Sequence, residues 1–228
     1  MQLSTDLNSE RLTFSVYEAK PKAQPLGAVI IAQEVFGVNS HIRAVTDGFA
    51  ERGWLAWAPS FFDPVEPGVE LDYSLRSVAK GREIMGQLGW EKPLRMMEAT
   101  ATRIRELHPN IPIAVVGYCW GGSLAWLSAT RLKNKVINGA VTYYGRQALE
   151  YKTESNGVPV LMHFGAKDPS IPLEGVEAFK ALHPDLSIHV YEAGHGFNCD
   201  QRADFNAEAS ALALNRTMDF LNELTPLA

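Results

Sequence analysis

A cysteine stands between closely spaced glycines in the segment G-x-C-x-G-G, residues 117–122. Apolar β-branched residues precede this segment and a helical pattern follows it, so it occupies a predicted strand-to-helix turn. That position presents the Cys119 sulfur above the sheet, at the N-terminus of the next helix, where unpaired N–H groups and the helix dipole favour a thiolate. The pattern predicts a nucleophile, and a buried structural cysteine in a glycine-containing turn is the alternative.

A nucleophile needs a base, and the base needs a group that orients it. His195, in the glycine-flanked segment "AGHGF", follows a predicted strand and is the best-placed base. The other five histidines open a helix, precede a proline near a helix end or lie within strands, which indicates structural roles. Asp168 follows another predicted strand in "FGAKDP", where an aspartate before proline is also a common turn former.

Cys119, Asp168 and His195 occur in the order nucleophile, acid, histidine, each just past the carboxyl end of a predicted strand. This is the order of the triad in the α/β-hydrolase fold. That fold stabilises an oxyanion with the backbone N–H after the nucleophile and with one from a loop after an early strand. Here these positions are Trp120 and Val35. The combination predicts acyl transfer through a Cys-His-Asp triad.

Apolar segments rich in β-branched residues alternate with segments of helical periodicity. The predicted strands are residues 27–32, 54–59, 111–117, 137–145, 158–165 and 186–192, and the predicted helices are residues 41–52, 93–108, 122–133 and 205–224. This alternation predicts a single α/β domain over residues 1–228, with a mostly parallel central sheet and helices on both faces. Ligands bind at the carboxyl ends of strands in such sheets.

The composition favours a small-molecule substrate over a macromolecular partner. The formal charge of −5 gives no reason to expect nucleic acid or an anionic membrane as a partner, and no apolar run approaches the length needed to span a bilayer. The N-terminus lacks the pattern of a secretion signal, and two cysteines are too few for a disulfide framework, so a reducing cytoplasm is expected. The sequence indicates no cofactor and no metal site, and a monomer or small homo-oligomer is expected.

The chain resembles the dienelactone hydrolase family of cysteine-dependent α/β-hydrolases. The resemblance covers nearly the whole length and depends on "IAQEVFGVN", "GYCWGG", "VTYYG", "FGAKD" and "AGHGF", in that order. It implies that Cys119 is the nucleophile, that His195 and Asp168 complete the triad, and that Glu34 approaches the thiol and takes its proton when substrate binds. Ordinary hydrolase chemistry needs no such second carboxylate, so Glu34 distinguishes this family from serine esterases.

The reaction implied by the resemblance is hydrolysis of a lactone or ester, of the carboxymethylenebutenolidase type, through a thioester acyl-enzyme. The Cys119 thiolate attacks the carbonyl and an enolate leaves. His195, oriented by Asp168, then activates the water that releases the product. The alternatives are a broad carboxylesterase or thioesterase, and a non-catalytic member of the fold that binds a small ligand or serves in thiol redox chemistry.

The chain departs from the family at the two arginines that hold a substrate carboxylate. The corresponding positions carry Cys199 and Ala79. Either Arg82, Arg76 or Arg202 supplies these contacts from a shifted position, or the substrate lacks the carboxylate. The second interpretation is favoured, because arginines on helices mostly lie at the surface.

An apolar pocket would then be formed by aromatic side chains. These are Trp120, Phe36, Tyr143 and Tyr144, and either tyrosine could donate a hydrogen bond to substrate or serve in the core. Two further features are left open. Cys199 is expected to be a small buried residue, with a reversible disulfide to Cys119 as the alternative. The irregular segment 59–72 is expected to be a surface connection, with a wall of the cleft as the alternative.

Overall fold

The computed structural model describes residues 1–132 and 136–226, and eight strands form one sheet. The strands are β1 (Gln2–Leu7), β2 (Glu10–Ala19), β3 (Ala28–Ala32), β4 (Leu55–Pro59), β5 (Ile113–Tyr118), β6 (Gly139–Tyr143), β7 (Val160–Gly165) and β8 (Ser187–Tyr191). β2 pairs antiparallel with β1 and with β4, and the other pairs are parallel. The predicted α/β-hydrolase class, with its mostly parallel sheet, is confirmed.

Helices connect the parallel strands. They are α1 (Ser40–Glu51), α2 (Leu75–Leu88), α3 (Glu91–Leu107), α4 (Trp120–Arg131), α5 (Leu173–Leu182) and α6 (Ala207–Asn222), with a 3-10 helix at Arg146–Tyr151. The helix predicted over residues 122–133 is α4, and its predicted end at residue 133 lies outside the described residues. No helix in the described part of the chain is both long and apolar enough to cross a membrane.

The strand order β1-β2-β4-β3-β5-β6-β7-β8 reverses direction at β3. The chain first moves from β3 to β4 on one side, and then returns to β5 on the other side of β3. Because such crossovers are right-handed, the reversal places α1 on one face of the sheet and α3 and α4, which contact each other, on the opposite face. The carboxyl ends of β3 and β5 therefore border the crevice where ligands bind in sheets of this kind.

Burial explains which strands the sequence predicted. Every residue of β3, β4, β5, β6 and β7 is buried, so these strands are almost continuously apolar. The hairpin of β1 and β2 was not predicted, because its strands alternate exposed residues with more buried ones and their apolar content is diluted. The helical pattern also did not identify α2, which only the family resemblance implied, or α5, and each of them buries only two or three residues.

Candidate active site

The segment of residues 117–122 is called the elbow below. Within it, a single residue separates the end of the strand from the start of the helix. β5 ends at Tyr118 and α4 begins at Trp120, and Cys119 between them has φ 55° and ψ −115°. This conformation costs a non-glycine residue about 1–3 kcal/mol. Gly121 permits it, since a Cβ there would lie 2.1 Å from the carbonyl oxygen of Ala32. The elbow therefore packs directly on the end of β3.

His195 and Asp168 reach Cys119 from neighbouring loops. His195 follows β8 and Asp168 follows β7. Nε2 of His195 lies 3.2 Å from Sγ of Cys119, and Nδ1 lies 2.6 Å from Oδ2 of Asp168. The Asp168 side chain is fully buried, and its Oδ1 accepts a 2.8 Å hydrogen bond from the N–H of Ser170. The structure thus brings the three residues into one chain of hydrogen bonds.

The charge state of His195 depends on Cys119. Burial lowers the pKa of His195, but the negative charge of Cys119 and the hydrogen bond to Asp168 outweigh burial and raise the pKa to about 10. At neutral pH this raised pKa favours the imidazolium form of His195. The charge of Cys119 is the largest raising influence. When that charge is consumed in a covalent bond, the pKa of His195 must fall.

Two backbone N–H groups of residues near Cys119 are available as donors. Trp120 is the first residue of α4, so its N–H has no partner within the helix. Among the described residues, no hydrogen bond from the N–H of Val35 is found either. Both residues line the same cleft as Cys119. Helix α2 packs tightly on this point, because a Cβ at Gly81 would lie 1.8 Å from the carbonyl oxygen of Val35.

Glu34 is buried beyond the end of β3 and is held by two donors. Nη1 of Arg202 lies 3.2 Å from its Oε1, and the hydroxyl of Tyr73 donates to its Oε2 at 3.2 Å. Burial lowers the pKa of Arg202, but the charge of Glu34 together with smaller contributions from other neighbouring groups raises it above its usual value. Within the described residues Glu34 makes no hydrogen bond to Cys119. Glu34 is therefore held by Arg202 and Tyr73, and its approach to the thiol on substrate binding stays a prediction.

The cleft above Cys119 has a volume of about 860 Å³ and contains three guanidinium groups. They belong to Arg82 on α2, Arg146 at the start of the 3-10 helix, and Arg202. Arg82 has no ion-pair partner among the described residues, whereas Arg202 pairs with Glu34. Arg76 does not line the cleft. The structure thus brings Arg82 and Arg202 into the cleft, although the sequence positions of the family arginines carry other residues.

Of the aromatic candidates, Phe36 and Trp120 line the cleft and the two tyrosines do not. Tyr143 is fully buried and its hydroxyl is 2.7 Å from Oγ1 of Thr217, so its proposed role as a substrate donor is corrected to one in the core. Tyr144 is also fully buried, with its ring 5.2 Å from the ring of His195. No partner of the Tyr144 hydroxyl is found among the described residues.

The segment 59–72 supports the cleft from behind. Phe62 is buried and its ring packs 5.5 Å from that of Trp120, and the N–H of Leu71 donates to the carbonyl of Phe36. This segment is more than a surface connection, although its residues are not among those lining the cleft. Both cysteines are free, so no disulfide joins Cys199 to Cys119, and Cys199 is buried as expected.

Several residues of this region were not predicted from the sequence, and Arg146 and Tyr73 are the two with the clearest polar roles. Arg146 lines the cleft and lies three residues beyond the end of β6, so the rule that ligands bind at the carboxyl ends of strands could have identified it. Tyr73 contacts Glu34 from a position that does not directly follow a strand end, and the sequence carries no signal for that contact.

Comparison with known proteins agrees with this geometry. Residues 14–225 match the model of the Dienelactone hydrolase family. The chain is 32% identical over 222 residues to a carboxymethylenebutenolidase of Pseudomonas putida, covering 93% of this chain and 92% of that protein. An enzyme of the same name from Pseudomonas knackmussii matches with the same identity and coverage. A crystal structure of a "Putative Dienelactone Hydrolase" from Klebsiella pneumoniae superposes with a TM-score of 0.81 at 28% identity, covering 98% of both chains.

Proposed function

Since the chain belongs to the dienelactone hydrolase family of hydrolases, we propose that it hydrolyses lactones or activated esters through a thioester on Cys119. The observation that carries this proposal is the hydrogen-bonded chain from Cys119 through His195 to Asp168, with distances of 3.2 and 2.6 Å. A ligand-binding protein would have no need for a buried carboxylate that orients an imidazole towards a sulfur.

In the first step, the thiolate of Cys119 attacks the substrate carbonyl. The oxyanion that forms receives hydrogen bonds from the N–H groups of Trp120 and Val35, and donors of this kind each contribute about 3 kcal/mol to transition-state stabilisation. The intermediate collapses to a thioester and expels the leaving oxygen as an enolate or activated alkoxide. The His195 imidazolium can protonate this oxygen, and an enolate leaves readily even without strong acid assistance.

In the second step, His195 acts as a base. Formation of the thioester removes the charge of Cys119, which is the largest influence raising the pKa of His195. The imidazole that remains, oriented by Asp168, accepts a proton from water while the water attacks the thioester. The tetrahedral intermediate then breaks its carbon–sulfur bond, which releases the carboxylic acid product and restores the Cys119 thiolate beside the protonated His195. In this scheme His195 carries the proton in both steps, and Glu34 is not needed as the acceptor.

The arginines of the cleft support a substrate that carries a carboxylate. Arg82, Arg146 and Arg202 line the cleft, and Arg82 lacks an ion-pair partner within the described residues. A guanidinium group binds a carboxylate through two parallel hydrogen bonds, which an ester or amide cannot reproduce. This arrangement favours the interpretation in which shifted arginines bind the substrate carboxylate, over the interpretation in which the substrate lacks one.

The reaction is tested by trapping the acyl-enzyme. With an enol lactone that carries a carboxylate, we expect the wild-type protein to turn over and Asp168→Asn to accumulate a covalent adduct on the peptide containing Cys119, measured by mass spectrometry. Cys119→Ala, which removes the nucleophile, is the matched control and should show neither adduct nor turnover. Turnover that survives Cys119→Ala would contradict the proposed chemistry.

The substrate class is tested separately by comparing the lactone carboxylate with its methyl ester. Arg82→Gln should lower kcat/KM for the carboxylate by about 10–100-fold, since charged hydrogen bonds of this kind contribute about 1.5–3 kcal/mol, and should leave the methyl ester unaffected. Arg76→Gln on the same helix is the control, because Arg76 does not line the cleft. Equal activity on both substrates in the wild type would instead identify a broad carboxylesterase.

A further inference from the structure

Three side chains of types that can ligate a metal lie close together, outside the chain of hydrogen bonds described above. Glu34, His41 and Cys199 each offer one ligand atom, and these atoms all lie within 4.8 Å of one another. All three residues are buried. A carboxylate oxygen, an imidazole nitrogen and a thiol sulfur in this arrangement are close to the separations that one metal ion requires, and small side-chain rotations would complete the approach.

The orientation of His41 provides a second and independent observation. Nδ1 lies 3.4 Å from Oδ1 of Asp200, whose side chain is mostly exposed. Nε2 is buried and has no hydrogen-bond partner among the described residues. An imidazole that is more than nine-tenths buried normally uses both nitrogens, so an unpartnered Nε2 requires a physical cause. A carboxylate on one nitrogen and a metal on the other is the usual arrangement of a histidine ligand.

We propose that Glu34, His41 and Cys199 bind a divalent zinc-class cation. The donor set of one sulfur, one nitrogen and one oxygen suits Zn²⁺, whereas Mg²⁺ and Ca²⁺ prefer oxygen ligands alone. Oε1 of Glu34 remains with Arg202, and Oε2, which accepts only from the Tyr73 hydroxyl, is the oxygen available to the cation. Binding replaces the thiol proton of Cys199, which is released to solvent.

One member of this cluster, His41, lines a second cavity. This cavity of about 280 Å³ lies against α1 and is also lined by Asn198 and Asp200. None of its lining residues belongs to the cleft above Cys119. Asp200 at its mouth is negatively charged and would attract a cation before binding. His41 is thus approached from a cavity separate from the cleft above Cys119, and Glu34, which pairs with Arg202 of that cleft, connects the two sites.

The experiment uses Co²⁺ as a spectroscopic substitute for Zn²⁺ and the Cys119→Ala variant of the full chain. The chain has only two cysteines, so Cys199 is the sole thiol left in this variant and the catalytic sulfur cannot contribute. Titration with Co²⁺ should produce one equivalent of a thiolate-to-cobalt charge-transfer band, together with the intense visible bands of a four-coordinate ion. Zn²⁺ should abolish these bands by competition, and Mg²⁺ should not.

Matched variants in the same background assign the ligands. Cys119→Ala combined with Cys199→Ala should lose the charge-transfer band, and combination with His41→Gln should lose the four-coordinate visible bands. Combination with Asp200→Asn changes an exposed side chain, so it should preserve folding and weaken Co²⁺ binding by about 10–100-fold. Circular dichroism of each variant establishes that it is folded.

Two results would overturn the proposal. One is the absence of a charge-transfer band in folded Cys119→Ala, which would show that Cys199 does not bind the cation. The other is a band that persists unchanged in the His41→Gln and Asp200→Asn combinations, which would show adventitious binding to the thiol alone. None of these measurements depends on hydrolase activity, so the site can fail while the proposed reaction stands, or the reverse.

Discussion

The two walls of the cleft are held in different ways. The elbow wall, formed by Val35, Cys119 and Trp120, is positioned by the backbone, through strand ends and close glycine contacts. The arginine wall, formed by Arg82 and Arg202 with the buried Glu34 behind it, is positioned by side chains that reach in from a helix and from a long loop.

This difference determines what can vary. Backbone geometry at the elbow requires particular residue types at fixed spacing, because a Cβ at Gly121 would overlap the end of β3. A long flexible guanidinium can reach the same point in space from several chain positions. The reaction type is therefore fixed by short local motifs, whereas the substrate class depends on contacts that can move along the sequence.

The largest expected effect is on the elbow side, from Asp168→Asn. This change removes the charge that stabilises the His195 imidazolium and permits the wrong tautomer, so kcat should fall by about 10⁴-fold. Asp204→Asn is the matched control, because Asp204 lines the cleft but its ion-pair contact is with Arg202 at 4.0 Å. Steady-state hydrolysis of an activated ester measures both. Comparable losses in the two variants would mean that His195 is not oriented by Asp168.

The second expected effect is on the titration of His195. The pKa of about 10 depends most, among raising influences, on the charge of Cys119. In Cys119→Ala the pKa of His195 should therefore fall, followed by NMR of the imidazole across the pH range. Because the folded pKa is raised in the wild type, this group stabilises the fold in full below its unfolded pKa of 6.5 and loses that contribution progressively as pH rises to about 10. An unchanged pKa would show that Cys119 is neutral beside His195.

The third effect tests whether the backbone really positions the elbow wall. Gly81→Ala places a Cβ 1.8 Å from the carbonyl oxygen of Val35, so the peptide that supplies one oxyanion donor must move. We expect kcat to fall by about 10²–10³-fold, the usual effect of losing one such donor. Gly86→Ala on the same helix meets nothing within 4 Å and should keep full activity. If both variants remain fully active, Val35 is not an oxyanion donor.

The same contrast explains what the sequence could predict. The elbow, Asp168 and His195 each follow a buried apolar strand, and the positions of strand ends are visible as glycines and turn residues. The arginines could not be located by matching sequence positions to those of the family. The position that corresponds to one family arginine is Cys199, whereas the guanidinium that reaches Glu34 belongs to Arg202. Successive turns, in which Cys199 N–H bonds to Gly196 and Arg202 N–H to Cys199, fold this loop back so that a later residue occupies the place.

The prediction of strands and helices also succeeded only where the local sequence pattern is strong. Strands buried on both faces were predicted within a few residues, because a short, continuous apolar run bounded by turn residues is typical of a strand in a covered parallel sheet. The helical pattern did not identify α2, which only the family resemblance implied, although Ser74 caps it by accepting from the N–H of Ser77. This helix carries both Gly81 against Val35 and Arg82 in the cleft, and nothing in the sequence indicated that it links the two walls.

The fourth effect concerns the stability of the arginine wall. Arg202→Gln leaves the buried carboxylate of Glu34 without its ion-pair partner, and the free energy of unfolding should fall by about 2–3 kcal/mol. Adding Glu34→Gln should recover part of this loss, since two neutral amides can hydrogen-bond to each other. Denaturant unfolding of the single and double variants forms the thermodynamic cycle. Strict additivity would show that the pair is not coupled.

The smallest expected effect tests the contact that sequence reasoning missed. Tyr73→Phe removes the hydroxyl that donates to Oε2 of Glu34 and accepts from Nδ2 of Asn39, while the ring keeps its packing against Phe36. The loss of unfolding free energy should be about 1 kcal/mol. Because Arg202 still holds Oε1, activity on a carboxylate substrate should change less than in Arg202→Gln. A larger loss of activity in Tyr73→Phe than in Arg202→Gln would mean that the hydroxyl, rather than the guanidinium, fixes Glu34 and with it the arginine wall.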